Sequence, residues 1–292
     1  MAFDLIAATF EPKPVVYMSN PTWGNHPAII GRAGLEARKY RYFDAATRGI
    51  DWAGLMEDLG AAPDGSVVLL HACAHNPTGV DPTDEQWAEL AKLVAAKGFF
   101  AVFDSAYQGY ATGDLERDCS AVKIFVEAGL DFMTCQSFSK NLGLYSERIG
   151  CLSCVTASPE AAQAVESQMK LIARPSYSNP PSHGARIVTR ILGTPELYSR
   201  WTAELKQMSQ RIMDMRAAVR SGLEKLGTPG TWNHVTDQIG MFSFTGLTAD
   251  QVAVLQSEHS IYMLPNGRIS LAGLTPTNVD RFVKAVDAVV RA

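Results

Sequence analysis

The feature that most restricts the fold is an alternation running through the first two-thirds of the chain. Short apolar runs of strand type take turns with helix-period segments, and the runs end on turn or polar residues. "VVYMS" at 15–19 closes on "NPTWGN", and "SVVLLHACAH" at 66–75 stops at "NPTG". A helix is expected from about Thr83, where "TDEQW" supplies a cap and early acids and Trp87, Leu90, Leu93 and Val94 form a stripe. "FFAVF" at 99–103 breaks at Asp104, and "AVKIFVEAG" reads as a helix with a glycine stop. "FMTCQSFS" at 132–139 runs into Lys140, and "RIGCLSCVTA" at 148–157 is one more strand. Strands that alternate with helices pair in parallel through crossover helices. The expected class is therefore α/β, with a mostly parallel, doubly wound sheet.

From Ser158 the pattern turns helical. The segment 195–226 reads as one helix long enough to bridge two domains. After it come a strand in "GMFSF", a helix in "TADQVAVLQSEH", short strands around "IYMLPNGRISLAG" and a last helix opened by Thr277. These make a smaller C-terminal α+β module, so the expected division is a large domain over 1–205 and a small one over 206–292.

Composition narrows the function classes. With 292 residues, 47% hydrophobic and 19% charged, the chain has enough apolar material for a sizeable core. Its net charge of −4 and the lack of a basic block argue against a nucleic-acid partner. Acidic substrates stay possible, because a site needs only local arginines. Five cysteines do not suggest a disulfide framework; Cys151 and Cys154 form a C-x-x-C inside a strand-like run, with no second pair to complete a zinc site. No apolar run is long enough to span a membrane, and the start has no basic n-region. The expectation is an intracellular, soluble protein without a membrane partner, its compartment (cytosol, mitochondrion or plastid) open.

The chemistry collects at strand ends. In "CQSFSKNLGLYSERIG", 135–150, Lys140 ends an apolar run among small and polar residues. A lysine there can be desolvated and aimed until its pKa falls far enough for it to act as nucleophile or base; alone, the stretch also reads as a surface turn. Asn76 and Asp104 follow two other apolar runs, and Tyr107 stands three residues beyond Asp104. Ligands of open parallel sheets bind outside the carboxyl ends of the strands. An amide, a carboxylate, a phenol and a lysine gathered there suit an aromatic aldehyde cofactor. The lysine forms a Schiff base, the carboxylate pairs with a pyridinium nitrogen, and tyrosine and asparagine bond a phenolate oxygen. Serine and arginine take a phosphate, which completes the requirements of pyridoxal 5'-phosphate.

"HACAHNPTGVDPTDEQW", "FDSAYQGYATGDLERD", "SFSKNLGLYSERIG" and "ARPSYSNPPSHGARIV" resemble the class I aspartate aminotransferases of pyridoxal-phosphate fold type I, eukaryotic and plant enzymes in particular. The resemblance runs from Val15 to the C-terminus. It implies that Lys140 is the Schiff-base lysine and proton carrier, Asp104 holds the pyridinium proton, and Tyr107 and Asn76 contact the ring oxygen. Ser137 and Arg148 are implied to bind the phosphate, Trp23 to stack on the cofactor, and His26 to support Asp104. Arg268 corresponds to the arginine for the substrate α-carboxylate, and Arg174 to the one that reaches across a homodimer to the distal carboxylate. The implied reaction is a ping-pong exchange of an amino group between L-aspartate and 2-oxoglutarate, giving oxaloacetate and L-glutamate. A broad aspartate/aromatic specificity and a non-catalytic fragment are the alternatives. The family chain extends further at its N-terminus and carries there a phosphate loop at a helix start; on that ground reduced or absent transamination is expected of these 292 residues. Without the resemblance, Arg174 reads as a helix C-terminal cation and Arg268 as a surface ion pair. His71 and His75 read as satisfied hydrogen-bonding residues, and the Met-rich stripe in "KQMSQRIMDMR" as helix packing.

Overall fold

The computed structural model describes all residues, 1–292. Ten strands are present: β1 Val16–Asn20, β2 Ala37–Arg41, β3 Phe43–Asp44, β4 Gly49–Ile50, β5 Val67–His71, β6 Phe100–Ser105, β7 Phe132–Ser137, β8 Gly150–Val155, β9 Phe242–Phe244 and β10 Arg268–Ser270. Six of them form the main sheet in the order β2-β1-β5-β6-β7-β8. Every pairing is parallel except the last, between β7 and β8. The expected α/β class is therefore the one observed.

Strand periodicity explains why both faces are covered. Val68 and Leu70 point into one core with Trp87, Leu90 and Phe125, while Val67 and Leu69 point into another with Phe3, Ile6 and Ile30. The helix Asp84–Lys97 covers the first face. Thr83 and Gln86 close a reciprocal cap at its start, and Gly98 ends it in the left-handed region at φ 59°. At the centre of that face Phe103 is fully buried, with Phe125 and Phe132 packed edge-on at 4.9 and 5.6 Å between ring centres. Phe103→Ala is expected to cost about 3–5 kcal/mol of stability, read as a lowered denaturant midpoint at unchanged slope.

Several boundaries differ from the sequence reading, each for a local reason. β5 ends at His71, not His75, because the Asp81 carboxylate accepts the Ala74 and His75 N–H groups at 2.6 and 2.8 Å and takes them out of the ladder. β6 does not break at Asp104 but runs through it to Ser105, since Asp104 still has His71 and Cys135 beside it. β7 ends at Ser137, and β8 covers only Gly150–Val155. The last helix is Val279–Arg291 and starts after Asn278, whose Oδ1 accepts from Thr275 N–H at 2.7 Å; the Thr277 hydroxyl pairs with that of Thr275 instead of capping. The "IYMLPNGRISLAG" stretch holds one strand, β10, which pairs with β9. No helix is long and apolar enough to cross a membrane.

The helix Pro195–Leu226 joins two bodies of packing. Leu205 lies against Gly109, where φ is 86° and an added Cβ would come within 2.2 Å of the leucine side chain, so only glycine fits. From Ile212 onward the same helix packs Met215, Val219 and Leu223 against Trp232, Leu255 and Phe282 in a separate core. β9 and β10 lie over that second core, and the site forms where they meet the loops after β5 and β6.

Candidate active site

Lys140 follows β7 in the turn that leads to Asn141. Its Nζ lies 5.1 Å from the centre of the Tyr107 ring. Partial burial, with the Arg148 charge adding to it, pulls the lysine pKa below its usual value against the opposing pull of Asp104. Tyr107 is buried, and burial followed by the Asp104 charge pushes its phenol up to about 12. At neutral pH it is a hydrogen-bond donor.

Asp104 stands at the C-terminal end of the sheet, beside His71 and Cys135. Burial alone would raise its pKa. The His26 hydrogen bond, then the His71 and His26 rings and the Lys140 ammonium, outweigh burial and hold it below the ordinary carboxylate value. A chain of contacts assigns the tautomers behind it. Asn76 N–H donates to His71 Nδ1 at 3.3 Å, which leaves the ring proton on Nε2, facing Thr22 Oγ1 at 3.3 Å. The Thr22 hydroxyl then donates to His26 Nδ1 at 2.8 Å, and His26 Nε2–H donates to Asp104 Oδ2 at 3.1 Å. Four donors thus point one way, toward a carboxylate that stays ionised.

His75 lies behind this chain, stacked on Tyr42 with its ring 4.1 Å from that of His71. Its nitrogens contact Ser19 Oγ and Thr78 Oγ1, both at 2.8 Å. His71 and His75 are satisfied hydrogen-bonding residues, as the sequence suggested. Burial lowers the His75 pKa to about 3 and holds that of His71 well below its usual value. The unfolded chain, with His near 6.5, binds more protons than the folded one between about pH 3 and 6.5. This stabilisation is complete above about 6.5 and is lost as the pH falls. Asp81, pushed up to about 6 by burial, acts in the opposite direction, so a single-site variant isolates the effect. In His75→Gln, urea stability measured at pH 7, 6 and 5 should fall less steeply than in the parent, by up to ~1.4 kcal/mol per pH unit.

Arg268 opens β10, on the other side of the site. Its Nη1 donates to Asn76 Oδ1 at 2.7 Å, and its guanidinium lies over the Phe242 ring at 4.3 Å. Phe242 is also edge-on to Tyr107 at 6.2 Å. Arg268 thus starts a strand instead of lying between two, and it is not the surface ion pair that sequence alone allowed: no carboxylate of the chain pairs with it, and its partners are an amide and a ring face.

The remaining expected residues are placed less centrally. Trp23, 40% exposed, sets its ring edge-on to His26 at 5.2 Å in the turn after β1. Ser137 ends β7 and accepts from Ser139 N–H at 3.2 Å, and the exposed Arg148 bonds the Tyr145 carbonyl at 3.0 Å. Arg174, in the last turn of the helix Pro159–Ser176, bonds only Ser178 Oγ, at 2.6 Å, and no contact within the chain joins it to Lys140 or Asp104. Two residues escaped the sequence reading. Thr22 looked like part of a turn, and Phe242 like one more apolar strand position. No group of His, Cys, Asp and Glu is arranged to hold a metal ion.

Comparison with known proteins places the sequence and the fold in a family. The sequence profile of the family "Aminotransferase class I and II" matches residues 2–286. The chloroplastic aspartate aminotransferase 3 of Arabidopsis thaliana is 53% identical over 287 residues, 98% of this chain and 64% of that protein. The chain thus spans just under two-thirds of that relative's length. The solved aspartate aminotransferase of Trypanosoma cruzi superposes with a TM-score of 0.96 at 49% identity, covering 99% of this chain and 74% of that one. An aromatic-amino-acid aminotransferase of Burkholderia pseudomallei, covalently bound to pyridoxal phosphate, superposes with a TM-score of 0.97 at 41% identity, covering 99% of this chain and 72% of that one. With nearly its whole length matched in sequence and in fold, the chain belongs to the class I and II aminotransferase family.

Proposed function

We propose that this chain carries the catalytic residues of a pyridoxal 5'-phosphate-dependent aspartate aminotransferase, exchanging an amino group between L-aspartate and 2-oxoglutarate, with oxaloacetate and L-glutamate as products. The observation that carries this reading is geometric: Lys140 Nζ stands over the Tyr107 ring at 5.1 Å, and Asp104, nearby at the C-terminal end of the sheet, closes a relay of four donors that keeps it ionised. The donor set fits the cofactor: an amine for an aldehyde, a carboxylate for a ring N–H, a phenol and an amide for a ring oxygen. Ser137 and Arg148, which flank Lys140 in sequence, suit a phosphate, and the exposed face of Trp23 suits a stacked ring. When bound, the cofactor supplies an electrophilic aldehyde and a ring that draws electrons from the substrate Cα.

The protein's own groups do the rest. Asp104 holds the proton on the ring nitrogen. Lys140 Nζ would take the proton from the substrate Cα and deliver it to the cofactor's aldehyde carbon, two bonds away across the nitrogen, the work of a base whose pKa lies below that of ordinary lysine. Tyr107, protonated at neutral pH, donates to the ring oxygen. Arg268 takes the α-carboxylate as a bidentate pair, with Phe242 behind it. Arg174 is assigned the distal carboxylate across a homodimer, which accords with its position apart from the site within one chain. The boundary between the large and small domains is assigned to 205/206; in support, Leu205 packs on Gly109 while the helix from Ile212 onward packs in the second core.

The test is the visible absorption of the chain with pyridoxal 5'-phosphate, before and after L-aspartate. A band that forms and is then lost on adding aspartate supports the reading. A band indifferent to every amino acid tried supports the non-catalytic alternative. Arg174 is exposed and bonded only to one serine, so it is free to swing aside, and this favours a second reading of broad aspartate and aromatic specificity. A panel of aspartate, tyrosine and phenylalanine separates the two.

A further inference from the structure

Arg216 is buried, 2% exposed, and has no carboxylate partner. It lies on the long helix and places its guanidinium among three backbone carbonyls: Val235 at 2.7 Å from Nη1, and Gly240 and Phe242 at 2.9 and 2.5 Å from Nη2. Its Nε has no partner. Burial lowers its pKa to about 10. A buried cation without a counter-charge costs stability, and here three carbonyl bonds offset that cost. What the arginine supplies is a planar fork that ties both ends of the segment 235–242 together.

That segment leads into the substrate end of the site. Phe242 is its last residue, and the Phe242 ring lies 4.3 Å from the Arg268 guanidinium. On the other side it is seated on the loop that carries Asn76. Ile239 N–H donates to Gly79 O at 2.8 Å, and Gly240, at φ 83°, has so little room that an added Cβ would lie 2.5 Å from Ala74 Cβ. Gln238, 1% exposed, braces the far end of β9 by bonding both the N–H and the carbonyl of Phe244, which pairs with Arg268 in the two-stranded sheet.

We infer that Arg216 is a positioning residue for Arg268: by holding the Phe242 carbonyl it fixes the ring face on which Arg268 rests, and so sets affinity for the substrate carboxylate. The inference rests on the assignment of Arg268 to the substrate in the proposed function. Arg216 touches neither substrate nor cofactor, and its effect belongs to carboxylate affinity, not to the chemistry at Lys140.

The experiment uses the protein loaded with pyridoxal 5'-phosphate and titrates succinate, a dicarboxylate with no amino group to react, by calorimetry. Arg216→Met should weaken succinate about tenfold and leave the visible band and its pH titration unchanged. Arg216→Lys should recover only part, because one ammonium cannot span the carbonyls as a fork does. Phe242→Leu, which leaves Arg216 in place, should weaken succinate comparably, and the double variant should be no weaker than the worse single. Parent affinity in Phe242→Leu, or in a cooperatively melting Arg216→Met, overturns the inference alone, as do strictly additive effects. A parent that shows the Lys140-dependent band but does not bind succinate overturns the substrate reading, and this inference with it.

Discussion

Lys140→Ala loses the visible band that pyridoxal 5'-phosphate gives with the parent, and lowers kcat/KM for aspartate by at least about 10⁴-fold. The physical case rests on what surrounds the amine. Nζ lies over the Tyr107 ring, and burial with the nearby Arg148 charge favours its neutral form. A neutral amine is what attack on an aldehyde and proton transfer at carbon both require. Lys140→Arg separates this role from a merely electrostatic one. Guanidinium keeps a cation over the ring but does not deprotonate in the working pH range. If Lys140→Arg keeps more than about a tenth of parental kcat, the amine is not the base and the proposed function is wrong in its central step. Circular dichroism and a melting curve on both variants check that the loss is chemical.

How much of this was legible in the sequence depends on whether a feature is local. The parallel sheet was legible, because Val67–Leu70 can only be an apolar run if both faces are covered. The same alternation put Asp104 and Lys140 near the C-terminal ends of two strands, but not the ends themselves: β6 runs one residue past Asp104, and β7 stops three before Lys140. The end of β5 was not legible, because it is set by Asp81, ten residues past the last strand residue, taking two backbone N–H groups. Thr22 shows the same limit: a threonine in a turn carries no mark of the two histidines it connects, and those come from positions 26 and 71. Arg268 and Asn76 meet across 192 positions. Neither spacing nor periodicity reaches that far: the resemblance implied a separate role for each, and only the fold supplied their contact. Phe242 and Arg216 carried no signal at all, since an aromatic in a strand and an arginine in a long helix are ordinary until the helix is seen to bury the guanidinium against that strand's carbonyl.

Asp104→Asn should lower kcat by about 10³-fold while keeping the Lys140-dependent band. The substitution is nearly isosteric, so the argument turns on protons, not on shape. In the parent, Asp104 accepts from His26 Nε2–H, and the relay through Thr22 and His71 leaves that histidine no alternative tautomer without breaking a bond. Asparagine can satisfy His26 only by turning its Oδ1 toward it, which aims its NH₂ at the cofactor's ring nitrogen. A donor there opposes protonation of that nitrogen, and a neutral ring draws electrons from Cα less well. The loss should therefore fall on the chemical step, with succinate affinity held within about twofold of the parent because Arg268 and Asn76 are untouched. His26→Ala, which removes the donor but leaves the carboxylate, should cost less, on the order of tenfold, and shift the acid limb of the kcat profile upward. The sign follows from the contacts: without the His26 hydrogen bond, burial raises the Asp104 pKa and the carboxylate protonates at a higher pH. Equal losses in Asp104→Asn and His26→Ala would place the important proton on the histidine and remove Asp104 from the role assigned to it.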